Sequence, residues 1–195
     1  LNNAGATLTP DATTGSWNFM GTISGGVVDL TSGQQLLLTA NSTSGTFTNG
    51  VTLNGDVTVS GTTTALRVSG GLTLNGVVHL SGSNAHLRSF GNQTIGGTGS
   101  IQFEGTTGSV RQLTIEGVST LTLGAGVTVS GGFGTIGGQA EQGGTNALVN
   151  NGTIRSDVVG QTLTVSPNGV FTTSTTVVAV SGAHLTINNL TDAKD

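Results

Sequence analysis

Cysteine is absent from the sequence, and charged residues are scarce. Without cysteine the chain can form neither a disulfide framework nor a thiolate metal site, so its stability must come from packing and backbone pairing. Charged residues make up only 7% of the 195 positions, whereas about a quarter is usual in globular domains. The net charge is −4 with five Lys and Arg residues, too few to neutralise the roughly six or more phosphates contacted in tight DNA binding. We therefore expect no nucleic-acid partner.

Proline, aromatic residues and long apolar runs are also rare. The chain has two prolines and 4% aromatic residues, and no stretch approaches the roughly 18 apolar residues of a membrane-spanning helix. Strong helix formers are sparse and no window keeps a helical period, so we expect almost no helix. Yet 34% of the residues are apolar, and they alternate with polar ones, unlike the highly charged, weakly hydrophobic sequences of disordered chains.

Glycine, threonine and a short repeat dominate what is present. The segment 51–61 reads VTLNGDVTVSG and returns at 72–82 and 121–131, with looser copies at 95–105 and 148–156. Each copy contains two short runs of alternating apolar and polar residues, the pattern of half-buried β-strands. An Asn-Gly pair between such runs favours a hairpin, but its return at a steady interval indicates the corner of a solenoid coil.

The spacing of these corners predicts the fold. With positions 55, 76, 99, 125, 152 and 169 taken as equivalent corners, consecutive corners are 17 to 27 residues apart. We predict an all-β protein, a right-handed parallel β-helix (β-solenoid) of about eight coils of roughly 20–28 residues each. Residues 1–20 are predicted to be an irregular N-terminal segment or cap, and residues 21–195 the solenoid, which we expect to be part of a longer chain.

Aliphatic residues are expected to stack in rows along the solenoid axis, about 4.8 Å apart. The repeat predicts two such rows: Val51, Leu72, Ile95, Leu121 and Leu148 before the corner, and Val57, Val78, Ile101, Val127 and Ile154 after it. At the corner, asparagine tolerates left-handed backbone and its amide can form hydrogen-bonded ladders, so we assign these pairs a structural role. The corner residues are Asn54, Gly55, Asn75, Gly76, Asn151, Gly152, Asn168 and Gly169.

Two segments depart from the repeat. Trp17 lies in the irregular start, where it either plugs the open end of the stack or offers a stacking surface for a sugar ring; we favour the plug. The glycine-rich segment 131–144 is predicted to be a loop that leaves the stack, and such loops commonly carry function or variation.

Three arginines are predicted to form a column. Arg67, Arg88 and Arg111 each lie 12 residues after the corner glycine of their own coil. An exposed column of this kind contributes little energy and is commonly a solvated ladder. The alternative is a docking strip for carboxylates of an acidic polysaccharide or a neighbouring subunit, and this makes the column our candidate binding surface.

Motifs for cofactors and metals are weak. Residues 132–137 match G-x-G-x-x-G but lack the helix that would hold a pyrophosphate. Residues 96–101 begin like a calcium-binding nonapeptide, but Ile101 occupies the position of the required aspartate. The three histidines, His79, His86 and His184, occupy unrelated positions of the repeat and are interpreted as surface polar residues. We expect no cofactor and no metal.

The carboxylates that could act in catalysis are scattered over different coils. Only Glu104 and Asp157 share a position in the repeat, two coils apart and on the order of 10 Å distant. That separation suits an inverting glycosidase, but one coincidence among so many positions is weak support. We therefore predict that the protein is not an enzyme.

The repeat resembles a family of secreted proteins. TLNG, VTVSG and LTINN, in coils rich in Gly, Ser and Thr, are similar to the β-helical passenger regions of secreted bacterial autotransporters and filamentous haemagglutinin-like adhesins. The resemblance covers nearly the whole chain and implies an extracellular or cell-surface protein that acts in adhesion, in a surface layer or as a fibre subunit. Self-association into a fibre or continuation of the same chain, and contact with surface polysaccharide, are the partners it implies.

Two other functions stay open. One is a β-helical polysaccharide lyase or hydrolase, for which the sequence lacks clustered acids. The other is ice binding through threonine columns, with Thr52, Thr73 and Thr122 aligned in one set and Thr58 and Thr128 in another. Interruptions in the second set and the unequal coil lengths count against a match to an ice lattice.

Overall fold

The protein is a parallel β-solenoid of eight coils. A computed structural model describes residues 1–105 and 110–191; residues 106–109 and 192–195, which the predicted solenoid included, lie outside the described part. Each coil gives one strand to each of three eight-stranded sheets, so strand n pairs in parallel with strand n + 3. This arrangement confirms the predicted all-β parallel solenoid of about eight coils. In the described residues, no helix is long and apolar enough to cross a membrane.

Each sheet runs the length of the stack. Sheet I contains β1 (Thr7–Leu8), β4 (Val27–Asp29), β7 (Val51–Asn54), β10 (Leu72–Leu74), β13 (Gln93–Gly97), β16 (Thr120–Leu123), β19 (Ala147–Asn150) and β22 (Phe171–Thr173). Sheet II contains β2 (Trp17–Asn18), β5 (Leu36–Leu38), β8 (Val57–Val59), β11 (Val77–Leu80), β14 (Ser100–Phe103), β17 (Thr128–Gly131), β20 (Thr153–Ser156) and β23 (Val177–Ala179). Sheet III contains β3 (Gly21–Ser24), β6 (Ser44–Thr48), β9 (Ala65–Ser69), β12 (His86–Phe90), β15 (Arg111–Glu116), β18 (Gly134–Ile136), β21 (Thr162–Val165) and β24 (His184–Ile187).

The core is a continuous stack of aliphatic side chains. In β7 the apolar residues Val51 and Leu53 are fully buried, whereas Thr52 between them faces outward. In β10, Leu72 pairs with Val51 and Leu74 pairs with Leu53, so like residues lie over one another as the alternation predicts. Complete burial of such a side chain contributes about 1.5–3 kcal/mol, and one connected cluster extends from Phe19 to Phe171.

The predicted rows are displaced by two residues between the fifth and sixth coils. Ile95 pairs with Leu123, not Leu121, and Ile101 pairs with Val129, not Val127. The core position over Leu121 is taken by Gln93, whose amide donates to Val68 O (2.8 Å) and Ser89 Oγ (2.7 Å) and is therefore satisfied while buried. Because side chains on a strand alternate, a shift of two residues leaves the apolar face inside.

The corner glycines are needed for close approach between coils. A Cβ on Gly76 would collide with the carbonyl oxygen of Gly55, and one on Gly99 with that of Gly76. Beyond Gly99 the predicted corner is wrong. Thr128 pairs with Ser100, which places Val127 rather than Ala125 over Gly99. Ile154 pairs with Val177, which places residue 175 rather than 169 over residue 152.

The corner asparagines act through their amides and not through left-handed backbone. Asn75 Nδ2 donates to Asn54 Oδ1 at 2.9 Å, one step of the expected ladder. Asn151 and Asn168 instead bind Ser174 and Gln139. In the described residues all four asparagines have negative φ. The non-glycine residues with positive φ include Ser42, Thr63 and Asn84, which lie between sheets II and III.

The first coil uses part of the segment expected to be irregular. Within residues 1–20, β1 pairs with β4 and β2 pairs with β5. Trp17 is half-buried against the core, and Phe19 stacks on Phe47 with ring centroids 5.3 Å apart. These aromatic rings lie at the open end of the stack, where a plug would be placed.

Candidate functional site

A segment between β18 and β19 folds back over the outer face of sheet III. We call residues 137–146 the strap. The loop predicted over 131–144 is wrong in two respects: Gly131 ends β17 and residues 134–136 form β18, and the remainder lies on the stack instead of leaving it. The strap continues the backbone pairing of sheet III, since Ile115 N donates to Gly138 O (2.9 Å) and Gly117 N to Gln142 O (2.8 Å).

A buried carboxylate holds the centre of the strap. Glu116 at the end of β15 is 1% exposed, and its carboxylate accepts the backbone N–H groups of Ala140 (3.0 Å), Glu141 (2.8 Å) and Gln142 (2.8 Å). Burial alone raises the pKa of Glu116, but the hydrogen bonds from these three amides and the nearby Thr114 hydroxyl group outweigh it and keep the pKa below its ordinary value. The ionised carboxylate therefore organises three consecutive strap amides.

Two side-chain amides close the base of the strap. Gln139 donates to Gly144 O at 2.8 Å and accepts from Gly144 N at 3.2 Å. Asn146, which is fully buried, donates to Ile115 O (2.7 Å) and Gly137 O (2.9 Å). Both residues satisfy backbone groups that the irregular path would otherwise leave unpaired.

Two of the three predicted arginines meet beneath the strap. Arg67 and Arg88 are paired positions on β9 and β12, so their guanidinium groups lie one coil apart on the outer face. Arg67 Nη2 and Arg88 Nη1 both donate to Glu141 Oε1 at the tip of the strap. We call Arg67 and Arg88 the arginine pair. The sequence placed these two residues correctly relative to each other, but gave no sign of their shared partner.

Arg111 does not belong to this column, and the predicted set of three is wrong. Arg88 pairs with Thr114, while Arg111 lies three residues earlier, is 5% exposed and donates to Ser81 O at 3.0 Å. Burial lowers the pKa of Arg111, although Glu104 opposes this effect. Counting residues from the corner fails because eight residues separate Phe103 from Gln112, whereas five separate the equivalent Leu80 and His86.

A buried histidine lies close to Arg88, Glu116 and Glu141. His86 is 3% exposed, and its Nε2 lies 3.1 Å from Asn84 Oδ1. Burial and the neighbouring Arg88 lower its pKa from 6.5 to about 4, against the opposing influence of Glu116 and Glu141. The imidazole is therefore neutral at pH 7, and the interpretation of His86 as a surface residue is wrong.

A second polar group lies on sheet II. His79 Nδ1 is 2.5 Å from Glu104 Oε1, and His79 Nε2 is 3.8 Å from Asp56 Oδ2. The three residues come from consecutive coils and are partly exposed. Within the described ranges, no cluster of His, Asp and Glu has the arrangement needed to hold a metal ion.

Glu104 also borders a surface cleft together with Asp157. The cleft has a volume of about 440 Å³, and Gln102, Ser130 and Gln161 contribute polar groups to it. Asp157 is 3.5 Å from Arg155 Nε. The two carboxylates that share a position in the repeat thus line the same cleft.

The threonine columns are short. Thr52 pairs with Thr73, but Thr73 pairs next with Gly96, and Thr122 belongs to a different row opposite Thr94. Thr58 pairs with His79, whose next partner is Gln102. The predicted alignments of Thr122 with Thr73 and of Thr128 with Thr58 are therefore wrong, and no long flat threonine surface forms in the described part of the chain.

Comparison with known proteins gives no guide to these sites. No protein-family model matches the chain, and neither the curated proteins nor the solved structures include a significant match. The function must therefore be argued from the fold and from the polar groups on its outer faces.

Proposed function

We propose that the protein is a structural and adhesive module of a bacterial cell-surface or extracellular fibre protein. The observation that carries the proposal is the connected aliphatic core, which runs through eight coils from Phe19 to Phe171. Such a core makes an elongated rod, and the outer faces carry mainly Thr, Ser, Asn and Gln. The repeat's resemblance to autotransporter passengers and filamentous haemagglutinin-like adhesins supports an extracellular location.

Assembly through the ends of the rod is part of the proposal. Within the described residues, β1 and β2 at one end and β23 and β24 at the other each pair with a sheet neighbour on one side only. The outer edge of β3 is partly covered by residues 1–3, and that of β22 by residues 189–191. Free strand edges can add further strands. Apolar side chains lie at both ends, with Met20 62% and Leu190 53% exposed. A further coil of the same chain or the end of a second copy would cover these groups.

Electron microscopy tests assembly. We expect negatively stained wild-type protein to form end-to-end filaments, and the double variant Met20→Glu/Leu190→Glu to form short rods, because a charge at each end opposes burial. Val118→Glu is the matched control: Val118 is 82% exposed but lies beside the strap, so its filaments should persist. Monodisperse short rods for the wild type at high concentration would contradict assembly.

A polysaccharide hydrolase is the second candidate function, favoured by the cleft that Glu104 and Asp157 share. Glycoside hydrolysis needs at least two carboxyl groups, one of which has a raised pKa and acts as the general acid. The test is release of reducing sugar from pectin and alginate by wild type and by Glu104→Gln and Asp157→Asn. If the wild type releases reducing sugar and both substitutions abolish this release, the protein is a hydrolase. If neither the wild type nor either variant releases reducing sugar, the result supports the structural module.

A further inference from the structure

We infer that the arginine pair binds carboxylate groups of an acidic polysaccharide, and that Glu141 is a built-in carboxylate that such a polymer displaces. This inference rests on the proposed adhesive function and names the ligand class for it. The site consists of Arg67 and Arg88 on adjacent coils, with Glu141 on the strap above them.

The arrangement already displays the chemistry of the ligand. Both guanidinium groups converge on a single oxygen, Glu141 Oε1, as they would on the carboxylate of a uronic acid. The side chains of Arg67, Arg88 and Glu141 are 39%, 11% and 27% exposed. The resident carboxylate is therefore at the surface, where a soluble polymer can compete with it.

One carboxylate does not use the full binding capacity of the pair. An arginine normally grips a carboxylate through two parallel N–H groups. Here, among the described residues, the Nε–H groups of Arg67 and Arg88 have no acceptor and are shielded from solvent. Two positive charges face the single charge of Glu141, since the nearby Glu116 carboxylate is engaged by three strap amides. The pair thus carries a positive charge that Glu141 does not neutralise, and its exposed N–H groups can bind further anionic oxygens.

Displacement requires movement of one side chain and not of the strap. Glu116, Gln139 and Asn146 hold the strap backbone independently of Glu141. A tethered carboxylate competes at an effective concentration in roughly the millimolar range. A single uronic acid should therefore displace Glu141 poorly, whereas a polymer that carries many carboxylates should displace it well.

The surroundings favour a polysaccharide over an acidic protein. Thr46 pairs with Arg67, and Thr48 pairs with Ser69 on the same outward rows, so hydroxyl groups flank the arginine pair and can bind sugar hydroxyls. Protein interfaces usually depend on a buried aromatic or aliphatic anchor. The outward positions beside Arg67 on β6 and β9 present hydroxyl groups, and Phe90 beside Arg88 is the one partly exposed aromatic ring among the paired outward positions of β6, β9 and β12.

Binding of the full chain to polygalacturonate tests the inference. We expect weak, salt-sensitive binding by wild type, binding about tenfold tighter by Glu141→Gln, and none above background by Glu141→Gln/Arg67→Gln/Arg88→Gln. Asp29→Asn removes the same charge on sheet I and should match wild type. Circular dichroism checks the folding of each variant, and neutral dextran is the negative probe.

Each outcome decides between alternatives. Unchanged affinity in Glu141→Gln, or equal gains in Glu141→Gln and Asp29→Asn, would overturn the role of Glu141. Tighter binding of poly-L-glutamate than of polygalacturonate would overturn the polysaccharide assignment in favour of an acidic protein. Filament formation is measured on the same samples: filaments without polygalacturonate binding reject this site and leave the fibre module intact, whereas loss of filaments rejects the module itself.

Discussion

At the scale of single residues, the corner glycines of this protein allow the backbones of adjacent coils to approach closely. Gly76 has no positive φ, yet its α-carbon lies against the backbone of Gly55. The sequence showed where several of these glycines recur, but the reason lies in the adjacent coil. That neighbour is identified only once the strand pairing is known.

Substitution of Gly76 by alanine should destabilise the fold by about 1–3 kcal/mol, the usual cost of overpacking. The added methyl group would meet backbone, which cannot rotate away. Chemical denaturation measures the loss. Gly143→Ala is the control, because nothing lies within 4 Å of its Cβ position and its φ is not positive; equal losses in the two variants would contradict this explanation.

His86 should make stability depend on pH. The unfolded chain takes up a proton at this residue below about 6.5, whereas the folded chain does so only below about 4. The unfolded state thus binds more protons between these values, and the free energy of unfolding should fall as the pH is lowered from 6.5 to 4. Arg88, Glu116 and Glu141 are the charged groups that face the imidazole.

The measurement is urea denaturation at several pH values for wild type, His86→Gln and His184→Gln. In His86→Gln the free energy of unfolding should no longer show the contribution of this residue to its fall between pH 6.5 and 4, whatever the stability of the variant at pH 7. His184 is exposed, so His184→Gln should retain the wild-type slope. An identical slope in all three proteins would show that His86 is accessible to protons in the folded state.

At the scale of elements, the strands and their inward faces could be predicted, but the strap could not. Alternation within VTLNGDVTVSG identifies β7 and β8 and fixes which residues are buried. The register between the fifth and sixth coils could not be read from the sequence because a displacement by two residues preserves the same alternation. The strap depends on Glu116, about 24 residues before the amides it binds, and no local pattern encodes that pairing.

Glu116→Gln should loosen the strap without unfolding the solenoid. The neutral side chain lacks the charge-assisted hydrogen bonds to three amides, which are stronger than neutral ones. We expect faster hydrogen exchange at the amides of residues 140–142, with unchanged exchange in β7 and β10. Glu104→Gln, which removes a partly exposed carboxylate from sheet II, serves as the control.

Acid should have the same effect on the wild type. Because the pKa of Glu116 is lower in the folded chain than its ordinary value of 4.5, ionised Glu116 stabilises the strap above that value, and this stabilisation is lost as the pH falls through the folded pKa. The protection factors of the amides of residues 140–142, which correct for the slower intrinsic exchange in acid, should fall in that range. Strap exchange that is insensitive to both acid and Glu116→Gln would show that Gln139 and Asn146 hold the strap alone.

At the scale of the whole molecule, stability comes from contacts between successive coils. Leu80 is fully buried between Val59 and Phe103 of the neighbouring coils, so Leu80→Ala should cost about 2–5 kcal/mol. In a stacked array the weakened interface can also uncouple the two halves. Denaturation followed by circular dichroism should show a lower midpoint and a broader transition. Leu190→Ala, at an exposed position, should change neither.

The two-residue displacement between the fifth and sixth coils shows how this architecture tolerates changes in length. Inserting two residues within a strand moves a corner along the chain but leaves the apolar side chains facing the axis. Inserting one residue would exchange the inward-facing and outward-facing side chains in the rest of that strand. The solenoid can therefore grow by duplication of segments of unequal length when their strands differ by an even number of residues. The connections between sheets can differ by any number of residues.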